Sequence, residues 1–167
     1  VKSLLNKFGM GDCKPVLTPI TELLEKNDGF SKSVDPKEYQ SMVGSLLYLA
    51  IATRPDISFA VGVASKFSSC PNESHLTAVK RIMGYLKGTI DLGLLYSASL
   101  EPHCVGYSDA DWASDIDNRH STTGNTFIMN GGPISWLSQK QRIVAQSTAE
   151  AEYVRCQTSC LAVQTSK

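Results

Sequence analysis

Apolar side chains recur every three or four residues from Tyr39 to Leu86 and every second residue beyond Leu92. The first period is that of a helix and the second that of a strand, so the chain divides into a helical part and a later strand-based part. Within the helical part, Asp35-Pro36-Lys37-Glu38 supplies an N-cap, a proline at the first helical position and an acidic first turn. Tyr39, Met42, Val43, Leu46, Leu47 and Ala50 follow at helical spacing, which predicts a helix there. Arg54-Pro55-Asp56 restarts the chain into a second helix with Ile57, Ala60, Val61, Ala64 and Phe67 on its apolar face. Pro71-Asn72-Glu73 opens a third, lined inside by Leu76, Val79, Met83 and Leu86. His75, Lys80, Arg81 and Lys87 fall at its more polar positions, and Gly88 suits a left-handed C-cap. Upstream, Val1 to Phe8 is a short amphipathic piece, Pro15 and Pro19 forbid a continuous helix, and Asn27 to Ser33 is an exposed connector.

Beyond Leu92, "LGLLY" reads as a strand leading into a meander of three or four short strands, within "HCVGYSDA", "TTGNTFIM", "PISWLS" and "RIVAQS". Ser147 or Thr148 then caps a last helix, with Glu150 in its first turn and Ala149, Tyr153, Cys156 and Cys160 on one side. The expected class is α+β: a helical segment over 1–96 and a meander with one helix over 97–167.

The chain has 167 residues, 42% of them hydrophobic, enough for one ordinary core or two small ones. Its longest apolar stretch, Leu46 to Ile51, is far too short to cross a bilayer, and the first residues lack a basic region followed by an apolar run; no membrane role is expected. Lys plus Arg equals Asp plus Glu at 16 each, so the whole chain carries no positive excess of the kind that binds phosphates. The balance is +2 over 1–96 and −2 over 97–167. Five widely spread cysteines without a C-x-x-C pair argue against a disulfide framework or a zinc site and read as reduced thiols.

Asp109, Asp111, Asp115 and Asp117 cluster at the end of a predicted strand, beside Trp112. Carboxylates this close repel unless solvent or a cation separates them, which suits a hard divalent metal. A polar turn with local Asx contacts is the alternative. An EF-hand is excluded, because a loop starting at Asp109 would have Ser114 at the glycine position and His120 at the glutamate position. Glu152 lies three residues after Ala149 and four before Cys156, which places it on the apolar face of the last helix. Glu150, roughly 200° around the axis, is expected to point outward.

The segment "YSDADWASDIDNRHSTTGNTFIMNGGPISWLSQKQRIVAQSTAEAEYV" is similar to the ribonuclease H domain of copia-type LTR retrotransposons. Upstream, "EYQSMVGSLLYLAIATRPDISFAVGVASKF" and "HLTAVKRIMGYLKGT" resemble the segment that follows the polymerase core in the same Pol polyproteins. The resemblance implies the C-terminal end of a reverse transcriptase over 1–96 and the first part of a ribonuclease H-like domain over 97–167. It implies two-metal hydrolysis of RNA in RNA–DNA hybrids, with Asp109 and Glu152 as catalytic residues and Mg2+ (or Mn2+) ligands. It further implies the hybrid and the rest of Pol as partners, Lys80, Arg81 and Lys87 along the hybrid backbone, and an intracellular location in a cytoplasmic particle or the nucleus. The family's later carboxylates and the Tyr-x-Asp-Asp polymerase motif do not occur among these residues. The chain by itself is therefore expected to be inactive and to hold magnesium weakly, with β-strand Val105 to Asp109 presenting an unpaired edge. The competing expectation is a non-catalytic nucleic-acid-binding or assembly module, a degenerate host-encoded remnant.

Overall fold

The computed structural model describes residues 1–21, 24, 32–98, 103–113, 115 and 118–164, the side chains of the last helix as far as Cys156. Most of the connector expected over Asn27–Ser33 lies outside the described residues, as do Asp117 and the side chain of Cys160. The chain forms two compact units, Val1–Gly93 and Leu94–Lys167.

The first unit contains helices α1 (Lys2–Lys7), α2 (Pro36–Ala52), α3 (Ser58–Ser65) and α4 (Glu73–Gly88), with a 3-10 turn over Pro55–Ile57. Asp35 caps α2 by accepting a hydrogen bond from the Lys37 N–H, and Pro36 stands at the first helical position, as its sequence predicts. The core is made of Tyr39, Met42, Val43, Leu46 and Ala50 from α2, Ile57, Ala60, Val61 and Ala64 around α3, and Val79, Ile82, Met83 and Leu86 from α4. Burial pushes the Tyr39 hydroxyl up to about 12, and that hydroxyl donates to the Ala64 carbonyl at 2.8 Å.

His75 departs from its predicted polar position: it is fully buried and completes the start of α4. The Asn72 side chain accepts from the His75 N–H at 3.0 Å, and His75 Nδ1 accepts from the Asn72 N–H at 3.1 Å. The ring stacks on Phe67 with centroids 3.9 Å apart. The reach back to its own cap and the stack on an aromatic neighbour let the imidazole be buried. Gly88 is likewise no left-handed cap, since it is the last residue of α4 and its φ is not positive. Pro15 lies against it, so a Cβ there would stand 3.2 Å from the Pro15 Cβ.

Arg54 ties the end of α2 to the end of α4. Only 3% exposed, it donates from Nε and Nη2 to the Asp56 carboxylate, from Nη1 to the Thr89 carbonyl and from Nη2 to the Thr89 hydroxyl. The Tyr85 hydroxyl also donates to Asp56, at 2.9 Å. Burial raises the Asp56 carboxyl, but the hydrogen bonds from Arg54 and Tyr85 and the Arg54 charge outweigh it and hold the group below its ordinary value.

The second unit is an antiparallel sheet of β1 (Val105–Asp111), β2 (Thr122–Met129) and β3 (Gly132–Lys140), in the order β1-β2-β3, followed by α5 (Thr148–Gln164). Asn130 and Gly131, with φ of 52° and 82°, join Met129 to its partner Gly132, the left-handed pair that a two-residue hairpin needs. The strand expected at "LGLLY" does not form. Its end packs on this hairpin instead: Ser97 N–H donates to the Asn130 carbonyl and the Tyr96 hydroxyl to the Pro133 carbonyl. A Cβ on Gly132 would lie 2.5 Å from the Leu95 carbonyl oxygen, so only glycine admits that approach.

Helix α5 begins as expected, with Ser147 accepting from the Glu150 N–H and Glu150 accepting from the Gln146 N–H. Its inward face differs from the predicted one. Ala151 is fully buried, whereas Ala149, Glu152, Cys156 and Tyr153, the last 65% exposed, lie outward. The cause is Gln141, whose Nε2 donates both to the Thr123 hydroxyl of β2 and to the Ala151 carbonyl, fixing which side of α5 meets the sheet.

Candidate functional site

Asp109 and Asp111 sit on β1, on the face that also carries Val105 and Tyr107. The opposite face holds Ser108 and Ala110, across from buried Asn125 and Thr123. Asp109 is exposed, and its Oδ1 accepts from the Ala110 N–H at 2.9 Å. Glu152 is exposed on α5. Asp115 behaves differently: it is 8% exposed, its Oδ2 lies 2.9 Å from Lys140 Nζ, and its backbone bonds to His120 and Arg119. Lys140 is a cation beside it. Trp112 closes the same loop by donating from its indole to the Ala145 carbonyl at 3.0 Å. Among the described residues no three His, Cys, Asp or Glu side chains converge as metal ligands would. The carboxylates that are described thus do not fit a two-metal centre, which needs a clamp on each of two cations.

The three cations singled out on α4 are dispersed in their roles. Lys80 is exposed, Lys87 is half-buried in the last turn, and Arg81 donates from Nη2 to the Thr18 hydroxyl at 3.0 Å. A better-formed feature lies between α1 and α2. There a groove of about 570 Å³, more apolar than polar, is lined by Val1, Leu4 and Leu49 together with Ser3, Lys7, Gln40, Ser41, Gly44, Ser45 and Tyr48. A Cβ on Gly44 would meet nothing within 4 Å, so a ligand can reach the helix backbone there. Lys7 Nζ lies 3.5 Å from the Ser41 hydroxyl, and Tyr48 is 74% exposed.

Among the described residues no carboxylate lines this groove. It offers one cation, Lys7, with hydroxyls, an amide and the exposed Tyr48 ring beside an apolar wall. The α4 cations drew attention by charge alone. Gln40, Gly44 and Tyr48 escaped it, although their spacing of four places them in one row along the solvent side of α2.

The chain is 44% identical over 161 residues to the retrovirus-related Pol polyprotein from transposon TNT 1-94 of Nicotiana tabacum, covering 92% of this chain and 12% of that one. It is 45% identical over 155 residues to the Pol polyprotein from transposon RE1 of Arabidopsis thaliana, covering 92% of this chain and 10% of that one. The chain thus spans about a tenth of the length of these polyproteins. A shorter relative, the secreted RxLR effector protein 161 of Plasmopara viticola, is 49% identical over 116 residues, which cover 70% of this chain and 82% of the relative. No family model and no solved structure matches the chain.

Proposed function

We propose that this chain, which is similar to the retrovirus-related Pol polyproteins of transposons, is the stretch of a copia-type Pol running from the end of the reverse transcriptase into the ribonuclease H domain. Its own work there is to hold nucleic acid. The observation that carries this reading is the groove of α1 and α2, which no carboxylate lines among the described residues; there Lys7 and Ser41 would meet phosphates and Gly44 would let the sugar-phosphate backbone come close. Magnesium (or manganese) would be met by Asp109 and Glu152 only as part of a larger carboxylate set in the parent polyprotein. The hybrid and the remainder of Pol are the proposed partners, in a cytoplasmic particle or the nucleus.

Binding of the full chain to a fluorescent RNA–DNA hybrid, measured across salt concentrations, tests the reading. Lys7→Ala is expected to weaken binding and lower the slope of log K against log salt by about one. Lys80→Ala and Lys87→Ala report the α4 face. Salt-independent binding, or a slope lowered only by the α4 variants, contradicts the groove.

A second reading is favoured by the short relative that the chain covers for most of its length: a free-standing binding module without catalysis. It predicts hybrid binding by the chain alone with no cleavage at any magnesium concentration. Cleavage lost in Asp109→Asn would contradict it.

A further inference from the structure

Residues 14–18 run as a strap along α4. The Val16 N–H donates to the Gly84 carbonyl at 3.3 Å, and a Cβ on Gly84 would stand 3.3 Å from the Lys14 carbonyl oxygen. Gly84 and Gly88, one turn apart, thus let the strap lie against the helix. Its far end is fixed by Arg81, which donates from Nη2 to the Thr18 hydroxyl at 3.0 Å. The neighbouring Arg81 Nε is buried, and among the described residues it has no hydrogen-bond partner. Nε and Nη2 carry parallel N–H groups along one edge of the guanidinium, a fork that fits two oxygens of one carboxylate or phosphate. A hydroxyl fills only one prong. Thr18 is also open to modification: it is exposed, beside a Leu17 that is 95% exposed, in a stretch that is neither helix nor strand. Of the seven prolines in the chain only Pro19 follows a serine or threonine. An exposed Thr-Pro in irregular backbone is the local feature that proline-directed protein kinases read.

We propose that Thr18 is a phosphorylation site for a kinase of this class and that the Arg81 fork receives the phosphate. The γ-phosphoryl group of ATP passes to Thr18 Oγ1: the new P–O bond forms as the bond to ADP breaks, and the hydroxyl proton goes to the base of the kinase. The phosphate then supplies Arg81 Nε with the acceptor that a hydroxyl cannot, and a bidentate pair between opposite charges replaces a single bond to a neutral oxygen. Modification therefore tightens the strap on α4.

Hydrogen exchange of the Val16 amide, compared between the full chain with phosphothreonine installed at position 18 and the unmodified chain, tests this. Phosphorylation is expected to slow that exchange about tenfold, the scale of a gained hydrogen bond between charged groups. In Arg81→Gln, which lacks the fork, it should leave the rate unchanged. Phosphorus NMR gives a readout that needs no variant: the second ionisation of the phosphate should fall at lower pH in the folded chain than in the same chain in urea. A proline-directed kinase with ATP is expected to modify Thr18 of the folded chain and to spare Pro19→Ala. Val16 exchange that is not slowed, equal slowing in Arg81→Gln, an ionisation that is not lowered, or a folded chain that the kinase leaves unmodified at Thr18 overturns the proposal.

Discussion

Replacing Arg54 by methionine removes the hydrogen bonds that join α2 to α4 and leaves the Asp56 carboxylate without its cation. Breaking a fully buried pair this way costs about 3–5 kcal/mol. The Asp56 side chain is 31% exposed and can rehydrate, so about 2–3 kcal/mol is expected. For a unit of this size that lowers the melting midpoint by roughly 10–20 °C. Both tryptophans, Trp112 and Trp136, lie in the second unit, which gives the experiment an internal control. The midpoint read by helical circular dichroism should fall while the tryptophan fluorescence transition stays in place. The Asp56 carboxyl is held below its ordinary value in the folded state, so its stabilisation is complete above that value of 3.8 and disappears as pH falls through the folded one. The stability gap between the chain and Asp56→Asn should accordingly be full near neutrality and close in acid below about pH 4. An unchanged midpoint in Arg54→Met, or equal shifts of both signals, would refute this role for the network.

Gly132→Ala drives a methyl group into the Leu95 carbonyl and should cost about 1–3 kcal/mol, read as a lower fluorescence midpoint with the helical transition unmoved. Lys140→Met takes the Lys140 cation from the buried Asp115 carboxylate and should destabilise the second unit by about 2–4 kcal/mol, a loss that adding Asp115→Asn largely reverses in urea melts. Magnesium titrated against Trp112 fluorescence should bind no tighter than roughly 1 mM, because Asp109 and Glu152 have no third carboxylate beside them among the described residues. Micromolar affinity that survives alanine at both positions would place a metal elsewhere.

What could be read from sequence was what local chemistry decides. Asp35-Pro36 and Asn72-Glu73 start their helices because a cap needs only its own neighbours, and the apolar rows of α2 and α3 found their core because period assigns a face, except for Leu47, which lies at the edge of its row and is 41% exposed. Features set by distant partners were not legible. Glu152 was given the inward face of α5 by its spacing from Ala149 and Cys156, yet Gln141, bonded to Thr123 and Ala151, turns the helix so that Ala151 is inside. The aspartate cluster looked uniform, and only the fold brings Lys140 to Asp115 and leaves Asp109 exposed. "LGLLY" has strand composition but spends its hydrogen bonds on the hairpin turn. The groove residues were overlooked because polar and small side chains on a solvent face carry no periodic apolar signal, although Asn130-Gly131 and the Gln40, Gly44, Tyr48 row were both there to be read.

The central claim, that the α1–α2 groove receives a nucleic-acid backbone, is tested most directly by Gly44→Ala. Open space surrounds the added methyl, so the helix should gain about 0.5–1 kcal/mol from the better helix former. The same methyl stands where the backbone of the ligand must approach. The account predicts a chain that melts higher yet binds an RNA–DNA hybrid about fivefold more weakly or worse, a loss of roughly 1 kcal/mol. A more stable Gly44→Ala chain with undiminished hybrid affinity would contradict it.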